Sequence, residues 1–176
     1  SGKLPITFPR TMEQLPLYYN YHLSGRKYDY LDETVVPLYR FGYGLSYSKF
    51  EYSGISAARD GENVKIKATV RNIGEVEADE IAELYITDML TSVSTPITQL
   101  RGFERVHLAP GEAEEVSFTL TPYDLSLLDA DMVRRVESGV FRAYVGGVSP
   151  ACDKGNEYRK SRLAYENENE GVMCEF

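Results

Sequence analysis

Tryptophan is absent from this sequence of 176 residues, and cysteine occurs only twice, as Cys152 and Cys174. Two cysteines cannot build the framework of several bridges that holds small disulfide-rich domains together. No Cys-x-x-Cys pair is present and neither cysteine has a histidine nearby, so zinc-ligand spacing is lacking as well. The sequence predicts no metal or cofactor site, and it leaves open whether the two thiols are bridged or reduced.

Long apolar runs and clusters of positive charge are also missing. No stretch of about 18 apolar residues occurs, and the first residues, Ser1 to Pro5, lack the apolar segment of a signal peptide. The 27 acidic and 19 basic residues give a formal net charge of -8, and the basic residues are scattered. Such a surface repels a phosphate backbone. We expect no membrane span and no nucleic-acid partner, and the compartment, cytoplasmic or secreted, is left open.

From residue 50 onward the sequence repeats short runs in which apolar and polar residues alternate, separated by turn residues. Alternation of this kind is typical of strands with one buried face. The predicted strands are 64–70, 81–88, 100–108, 115–120, 140–145 and 172–176. The pattern predicts an all-β sandwich whose core includes Val70, Leu84, Phe103, Phe118 and Phe141.

Two stretches depart from this alternation. The run from Pro122 to Leu128 has no period of two, and proline suits the first turn of a helix, so we predict a short helical connection there. The run from Glu166 to Glu170 is too charged for a core, so it predicts a loop or hairpin before the last strand.

The first 48 residues show neither helical nor strand periodicity. Four of the eight prolines lie here, and nine of the 14 tyrosines fall within the first 52 residues. Aromatic rings with a polar tip suit both packed interfaces and sugar-stacking sites. We therefore divide the chain into an extended N-terminal arm, 1–48, and a β-sandwich, 49–176. We expect residues 37–47 to pack tightly on the sandwich, and residues 1–36 to be looser or to mediate self-association.

Several motifs of the sequence resemble one family of enzymes. Ser1 to Arg10 resembles the last strand of the α/β-sandwich domain in family 3 glycoside hydrolases, and Pro37 to Tyr47 resembles the signature that enters their fibronectin type III-like domain. Further landmarks of that domain follow in the same order: 70–74, 84–88, 100–103, 108–112 and 144–147. The resemblance covers residues 1 to 149 and implies a fibronectin type III-like β-sandwich.

The same resemblance implies that the catalytic groups lie elsewhere. In this family the nucleophilic aspartate belongs to an upstream barrel domain, and the acid/base residue lies in or near the α/β-sandwich domain. Retaining hydrolysis needs both carboxylates about 5 Å apart in a sugar-binding cleft. We therefore assign no catalytic residue to this chain and expect it to be inactive alone. Its expected partners are the barrel and α/β-sandwich domains of a parent enzyme that hydrolyses β-glucosides or β-xylosides.

Three features that could suggest chemistry have simpler interpretations. The pair Asp129 and Asp131 could hold a metal, but aspartates around one small residue more often form a turn. The run Gly42-Tyr43-Gly44 could suggest a nucleotide loop, yet no third glycine and no helical pattern follow. His22 and His107 are far apart in sequence and have no neighbouring ligand cluster, so packed or surface histidines are expected.

Three functions remain open at this stage. The preferred one is structural, with the sandwich buttressing the catalytic domains and the arm docking onto them. The tyrosine surplus also fits a carbohydrate-binding module that holds polysaccharide near a catalytic centre. The chain could equally be one piece of a split glycosidase that assembles with a separate barrel-bearing chain.

Overall fold

The computed structural model describes residues 2–22, 37–150 and 171–176 of the chain. Nine strands and one short 3-10 helix, Met12–Gln14, make up its regular elements over these residues. The strands are β1 (Phe50–Asp60), β2 (Asn63–Asn72), β3 (Ala78–Asp88), β4 (Gln99–Leu108), β5 (Ala113–Leu120), β6 (Leu127–Leu128), β7 (Arg134–Arg135), β8 (Phe141–Gly146) and β9 (Gly171–Glu175). The all-β prediction is confirmed.

The main strands form two antiparallel sheets that face each other. One sheet has the order β1-β2-β5 and the other the order β4-β3-β8-β9, while β6 and β7 form a small separate ladder. Alternate residues of each strand point between the sheets, as Ile66, Ala68 and Val70 do in β2. Val70, Leu84, Phe118 and Phe141 are buried there as predicted. The period of two in the sequence thus encodes the sandwich core.

Phe103 is the one predicted core residue that the structure places outside. Its side chain is 71% exposed, whereas Val106 and Leu108 of the same strand are buried. The prediction was wrong because Phe103 lies an odd number of residues from Val106, which puts it on the opposite face of β4. The inward position belongs to Gly102, where an added Cβ would meet the ring of Phe118 at 2.9 Å. Phe118 therefore fills the space that a side chain at 102 would take.

The predicted helical connection after Pro122 is also wrong. Two separate turns occupy it, closed by hydrogen bonds from the amide of Asp124 to the carbonyl of Thr121 and from the amide of Ser126 to the carbonyl of Tyr123. The carboxylate of Asp124 accepts a further bond from the Thr121 amide at 2.8 Å, which favours a turn over a helix. Burial of Leu127 then draws the chain back to an extended conformation in β6.

The last predicted strand is confirmed as β9, which pairs with β8 from Gly171 to Glu175. Cys174 lies in this strand as a free, half-buried thiol, and burial raises its pKa. Cys152 and the charged run 166–170 lie outside the described residues. The alternative of a disulfide bridge between Cys152 and Cys174 is therefore not tested. Among the residues described, no helix is long and apolar enough to cross a bilayer.

Candidate docking surface

Two segments of the arm run antiparallel to each other and form an extended ribbon, which we define as residues 2–10 and 37–47. The amide of Leu4 donates to the carbonyl of Tyr43 at 2.9 Å, and the amide of Phe8 donates to the carbonyl of Tyr39 at 2.9 Å. Gly42 returns a bond from its amide to the carbonyl of Leu4, also at 2.9 Å. The two segments contain three prolines and show no alternation of apolar and polar residues, so the sequence does not indicate that they pair with each other.

The ribbon covers the outer face of β3, the face that points away from the core. A strand at the surface of a sandwich normally buries one face, yet β3 is buried on both from Ala82 to Ile86. Tyr85 on the outer face is fully buried, with the ring of Phe41 at 6.5 Å and that of Tyr19 at 6.0 Å, both edge-on. Tyr19 and Phe41 stack on each other at 4.4 Å. Aromatic packing therefore seats the arm on the sandwich.

Residues 2–22, which we expected to be looser than residues 37–47, also contact the sandwich. The amide of Leu100 donates to the Tyr19 hydroxyl at 3.3 Å, and the amide of Ile97 donates to the carbonyl of Tyr21 at 3.0 Å. His22 reaches Ser94 through its Nδ1, at 3.1 Å. Residues 23–36 lie outside the described part of the chain, so the expectation is not tested for them.

A buried ion pair fixes the beginning of the ribbon to the sandwich. Lys3 Nζ lies 2.8 Å from Glu80 Oε1 and donates to the carbonyl of Gly147 at 2.6 Å. The Tyr52 hydroxyl donates to the same Glu80 oxygen at 2.9 Å. Because β8 ends at Gly146, the space past its end is open, and the missing side chain of Gly147 leaves room for the ammonium and the carboxylate. The polar groups satisfy one another in a site from which water is largely excluded.

A second carboxylate, that of Glu83, lies beneath the ribbon on the outer face of β3. It accepts a hydrogen bond from the Tyr85 hydroxyl at 2.6 Å and packs directly against Gly42, where no Cβ would fit. Gly42 has a φ of 80°, which favours glycine for a second reason. Burial raises the pKa of Glu83 to about 6, although the Tyr85 hydrogen bond and the charge of Lys3 oppose that rise.

Asn72 joins the end of the arm to the sandwich. Its side chain is fully buried and makes four hydrogen bonds: it accepts from Ser48 Oγ at 2.6 Å and from the Gly74 amide at 3.0 Å, and it donates to the carbonyls of Val76 at 2.8 Å and Leu108 at 2.9 Å. Both N–H donors and both lone pairs of the amide group are therefore engaged. The position thus fixes where the chain enters β1 and where β2 ends.

The outward side of the arm is apolar and exposed. Tyr39 stacks on Tyr43 at 4.7 Å and meets Phe8 edge-on at 6.4 Å, so three rings lie side by side on the ribbon. We call the exposed large apolar side chains of the arm the docking surface: Ile6, Phe8, Met12, Leu15, Tyr18, Leu38, Tyr39, Leu45 and Tyr47. Tyr47 is 97% exposed and Leu45 80%. A concentration of exposed aromatic and aliphatic groups such as this marks interaction sites rather than ordinary surface.

Comparison with known proteins gives this architecture its family. The fibronectin type III-like domain family matches residues 80–149. A periplasmic β-glucosidase of Salmonella typhimurium is 37% identical over 171 residues, which cover 89% of this chain and 22% of that enzyme. A β-xylosidase of Formosa agariphila is 38% identical over 162 residues, which cover 86% of this chain and 22% of that enzyme. The chain matches the C-terminal region of family 3 glycoside hydrolases.

Solved structures agree with this assignment. The crystal structure of a β-glucosidase from Listeria innocua in complex with isofagomine superimposes with a TM-score of 0.82 at 32% sequence identity. The match covers 99% of this chain and 24% of that one. The chain thus spans between a fifth and a quarter of the length of such relatives, and it matches their C-terminal region.

The aspartate pair and the two histidines, which could have suggested chemistry, make local hydrogen bonds and ion pairs in the structure. Asp129 accepts hydrogen bonds through Oδ1 from the amides of Asp131 and Val133, both at 2.9 Å, and its other oxygen pairs with Arg135. The pair of aspartates therefore builds a turn between β6 and β7. His107 pairs with Asp79 at 2.6 Å on the exposed side of β4, away from the Ser94 partner of His22.

Sequence reasoning missed the two buried glutamates. Glu83 lies within the predicted strand 81–88 and Glu80 lies directly before it, but alternation alone treats a charged residue as solvent-facing. One signal was present: Glu80 is in phase with the core residues Ala82 and Leu84, so it had to be buried or the phase had to break. No group of three or more potential metal ligands occurs among the described residues.

Proposed function

We propose that this chain is a non-catalytic structural part of a family 3 glycoside hydrolase that acts on β-glucosides or β-xylosides. In this proposal the sandwich buttresses the catalytic domains, and the docking surface of the arm binds them. The observation that carries the proposal is the two-sided arm, which packs the half-buried rings of Tyr19 and Phe41 against Tyr85 of the sandwich and leaves Phe8, Tyr39 and their neighbours exposed.

The energetics favour an apolar partner for the docking surface. Burying an exposed Leu or Phe side chain contributes roughly 1.5 to 3 kcal/mol, so several together can offset the entropy lost on association. The arm is already ordered on β3 by the ribbon hydrogen bonds and the Lys3–Glu80 pair, which lowers that entropic cost. The remaining four-fifths of the relatives' length provides the partner in this proposal.

The chemistry of the described residues also fits a structural function. Retaining hydrolysis requires two carboxylates facing one sugar-binding cleft. Glu80 and Glu83 are buried on opposite faces of β3, beneath the arm and beside the core, where no sugar reaches them. We therefore place the nucleophile and the acid/base residue outside this chain.

Reconstitution tests the proposal. The 176-residue chain and the upstream part of the enzyme are produced separately and assayed on nitrophenyl β-glucoside and β-xyloside, alone and mixed. We expect no turnover by the chain alone and a more stable, more active upstream part once the chain is added. Hydrolysis by the chain that persists through repeated purification would overturn the non-catalytic assignment. An upstream part that is fully stable and active alone would overturn the buttressing function.

A carbohydrate-binding module is the second candidate, favoured by the adjacent exposed rings of Phe8 and Tyr39. Rings of this kind stack on sugar faces as well as on protein. Isothermal titration with xylan and cello-oligosaccharides separates the two functions, because the structural proposal expects no heat of binding at millimolar sugar. Saturable binding that is lost in Tyr39→Ala would favour the module instead.

A further inference from the structure

Lys3, Glu80 and Glu83 form a cluster in which one ammonium group serves two buried carboxyl groups. Lys3 pairs directly with Glu80, and its charge also acts on Glu83. Glu80 and Glu83 are 4% and 5% exposed. Two ionised carboxylates beside one ammonium leave a net negative charge in a poorly solvated site, which is costly. One proton on the cluster removes that charge.

The arm itself is what buries Glu83. This residue lies on the outer face of β3, where its cross-strand neighbours are Phe103 of β4, which is exposed, and Gly146 of β8, which has no side chain. The cover over its carboxyl group comes from Gly42 of the ribbon, with Lys3 and Tyr85 beside it. Lifting the ribbon would return Glu83 to water, while the strands of the sandwich would stay paired.

The other titratable groups around Glu83 do not compete for this proton. Tyr85 on its own strand and Tyr52 on β1 both have a phenol pKa that burial raises, so they remain hydrogen-bond donors at acidic and neutral pH. Glu80 is held by Tyr52 and Lys3 together. The geometry therefore makes Glu83 the carboxyl group that takes up the proton when the ribbon is closed.

We propose that the ribbon and β3 form a proton-dependent latch, in which protonation of Glu83 tightens the seat of the arm and its ionisation loosens it. The direction follows from the burial. A closed ribbon favours the neutral carboxyl group, whereas an open ribbon lets the carboxylate be hydrated. The arm is therefore held most firmly at acidic pH and more weakly as the pH rises past neutrality. This inference concerns the chain itself and holds whether or not the chain is a buttress.

The size of the effect follows from the two states of Glu83. Its pKa is about 6 with the ribbon closed and 4.5 is the ordinary value that it regains with the ribbon open. The equilibrium constant for closing the ribbon therefore falls by about 30-fold when Glu83 goes from fully protonated to fully ionised in both states. Roughly tenfold of this change occurs between about pH 5 and pH 7.5.

Hydrogen exchange on the full 176-residue chain tests the latch. Protection factors, corrected for intrinsic exchange, are measured for the ribbon amides of Leu4, Phe8 and Gly42, all of which donate hydrogen bonds within the ribbon. We expect protection to fall roughly tenfold from about pH 5 to pH 7.5. Protection that is constant over this range would overturn the proposal.

Variants identify the group responsible. Glu83→Gln keeps the size and the polar contact of the side chain but cannot ionise, so its ribbon protection should not change with pH. Glu114→Gln, at an exposed position near the start of β5, is the matched control and should keep the wild-type dependence. Persistence of that dependence in Glu83→Gln would contradict the assignment. Carboxyl carbon NMR gives an independent readout, since the resonance of Glu83 should titrate near 6.

Discussion

Replacing Asn72 with alanine should be among the most destabilising single changes in the sandwich. The side chain is fully buried and its four hydrogen bonds reach Ser48 at the end of the arm, Gly74 and Val76 in the turn after β2, and Leu108 at the end of β4, so that with β2 itself it joins four segments. A net contribution of about 1 kcal/mol for each bond gives a loss of roughly 4 kcal/mol in the free energy of unfolding. The loss is large because alanine leaves buried carbonyl and amide groups without a partner.

Urea unfolding followed by circular dichroism measures this loss. The matched control is Asn63→Ala at the start of β2, a half-buried position where a change within about 0.5 kcal/mol is expected. Asn72→Asp is informative as well, because it keeps the acceptor for Ser48 but loses both donors, and it should be about as destabilising as alanine. A loss below about 1 kcal/mol in Asn72→Ala would refute the reasoning that this amide joins the four segments.

Three further predictions concern the core, the cluster beneath the arm and the pH dependence of stability. In urea melts, Phe141→Ala should lower the free energy of unfolding by about 3 to 5 kcal/mol, and Phe103→Ala should lower it by less than about 0.5 kcal/mol. Similar losses in the two variants would show that the buried faces of β4 or β8 are misassigned. Gly147→Val should displace the Lys3–Glu80 pair and lower the free energy of unfolding by about 2 kcal/mol. Gly2→Ala should have no effect, because the space around Gly2 is open. An equal effect of the two variants would contradict the close approach of Lys3 and Glu80 to Gly147. Folding raises the pKa of Glu83 to about 6, so its contribution to stability is complete below about pH 4.5 and is lost as the pH rises through 6. Urea melts should show that the free energy of unfolding falls by about 2 kcal/mol over this range, and Glu83→Gln should abolish this fall. An unchanged pH dependence in that variant would exclude Glu83 as its source.

The alternation of apolar residues was sufficient to predict six of the seven strands in the two main sheets, whereas β1 was missed, because a bulge between Ser53 and Ser56 interrupts its alternation. In β2 and β5 every second residue is buried, because one face of each strand packs on the core and the other meets water. The same rule contained the correct answer for Phe103, since strict phase with Val106 places it outside. The apolar side chain of Phe103 suggested burial, but its position in the alternation placed it on the outer face. In a strand the position decides which face a side chain takes.

The arm could be only partly predicted. Its apolar content showed that it needs a surface, but nothing local to residues 2–10 or 37–47 indicates that the two segments pair with each other. One signal lay in β3, where Ala82 to Ile86 include only one charged residue and are buried throughout, as in a strand covered on both faces. The burial of Glu83 could not be predicted, because it depends on contact with Gly42 of the ribbon, which is distant from it in the sequence.

The central claim is that the outward side of the arm binds the catalytic domains of a family 3 glycoside hydrolase. The most direct test introduces Phe8→Ser and Tyr39→Ser together into the full-length enzyme, with Tyr123→Ser, an exposed ring of the turn after β5, as the matched control. Thermal unfolding and the rate of nitrophenyl β-glucoside or β-xyloside hydrolysis are then measured for each. The account predicts that the double variant unfolds at a lower temperature and loses activity, while the control and the isolated variant chain remain folded and unchanged. A double variant as stable and as active as the unaltered enzyme would contradict the claim.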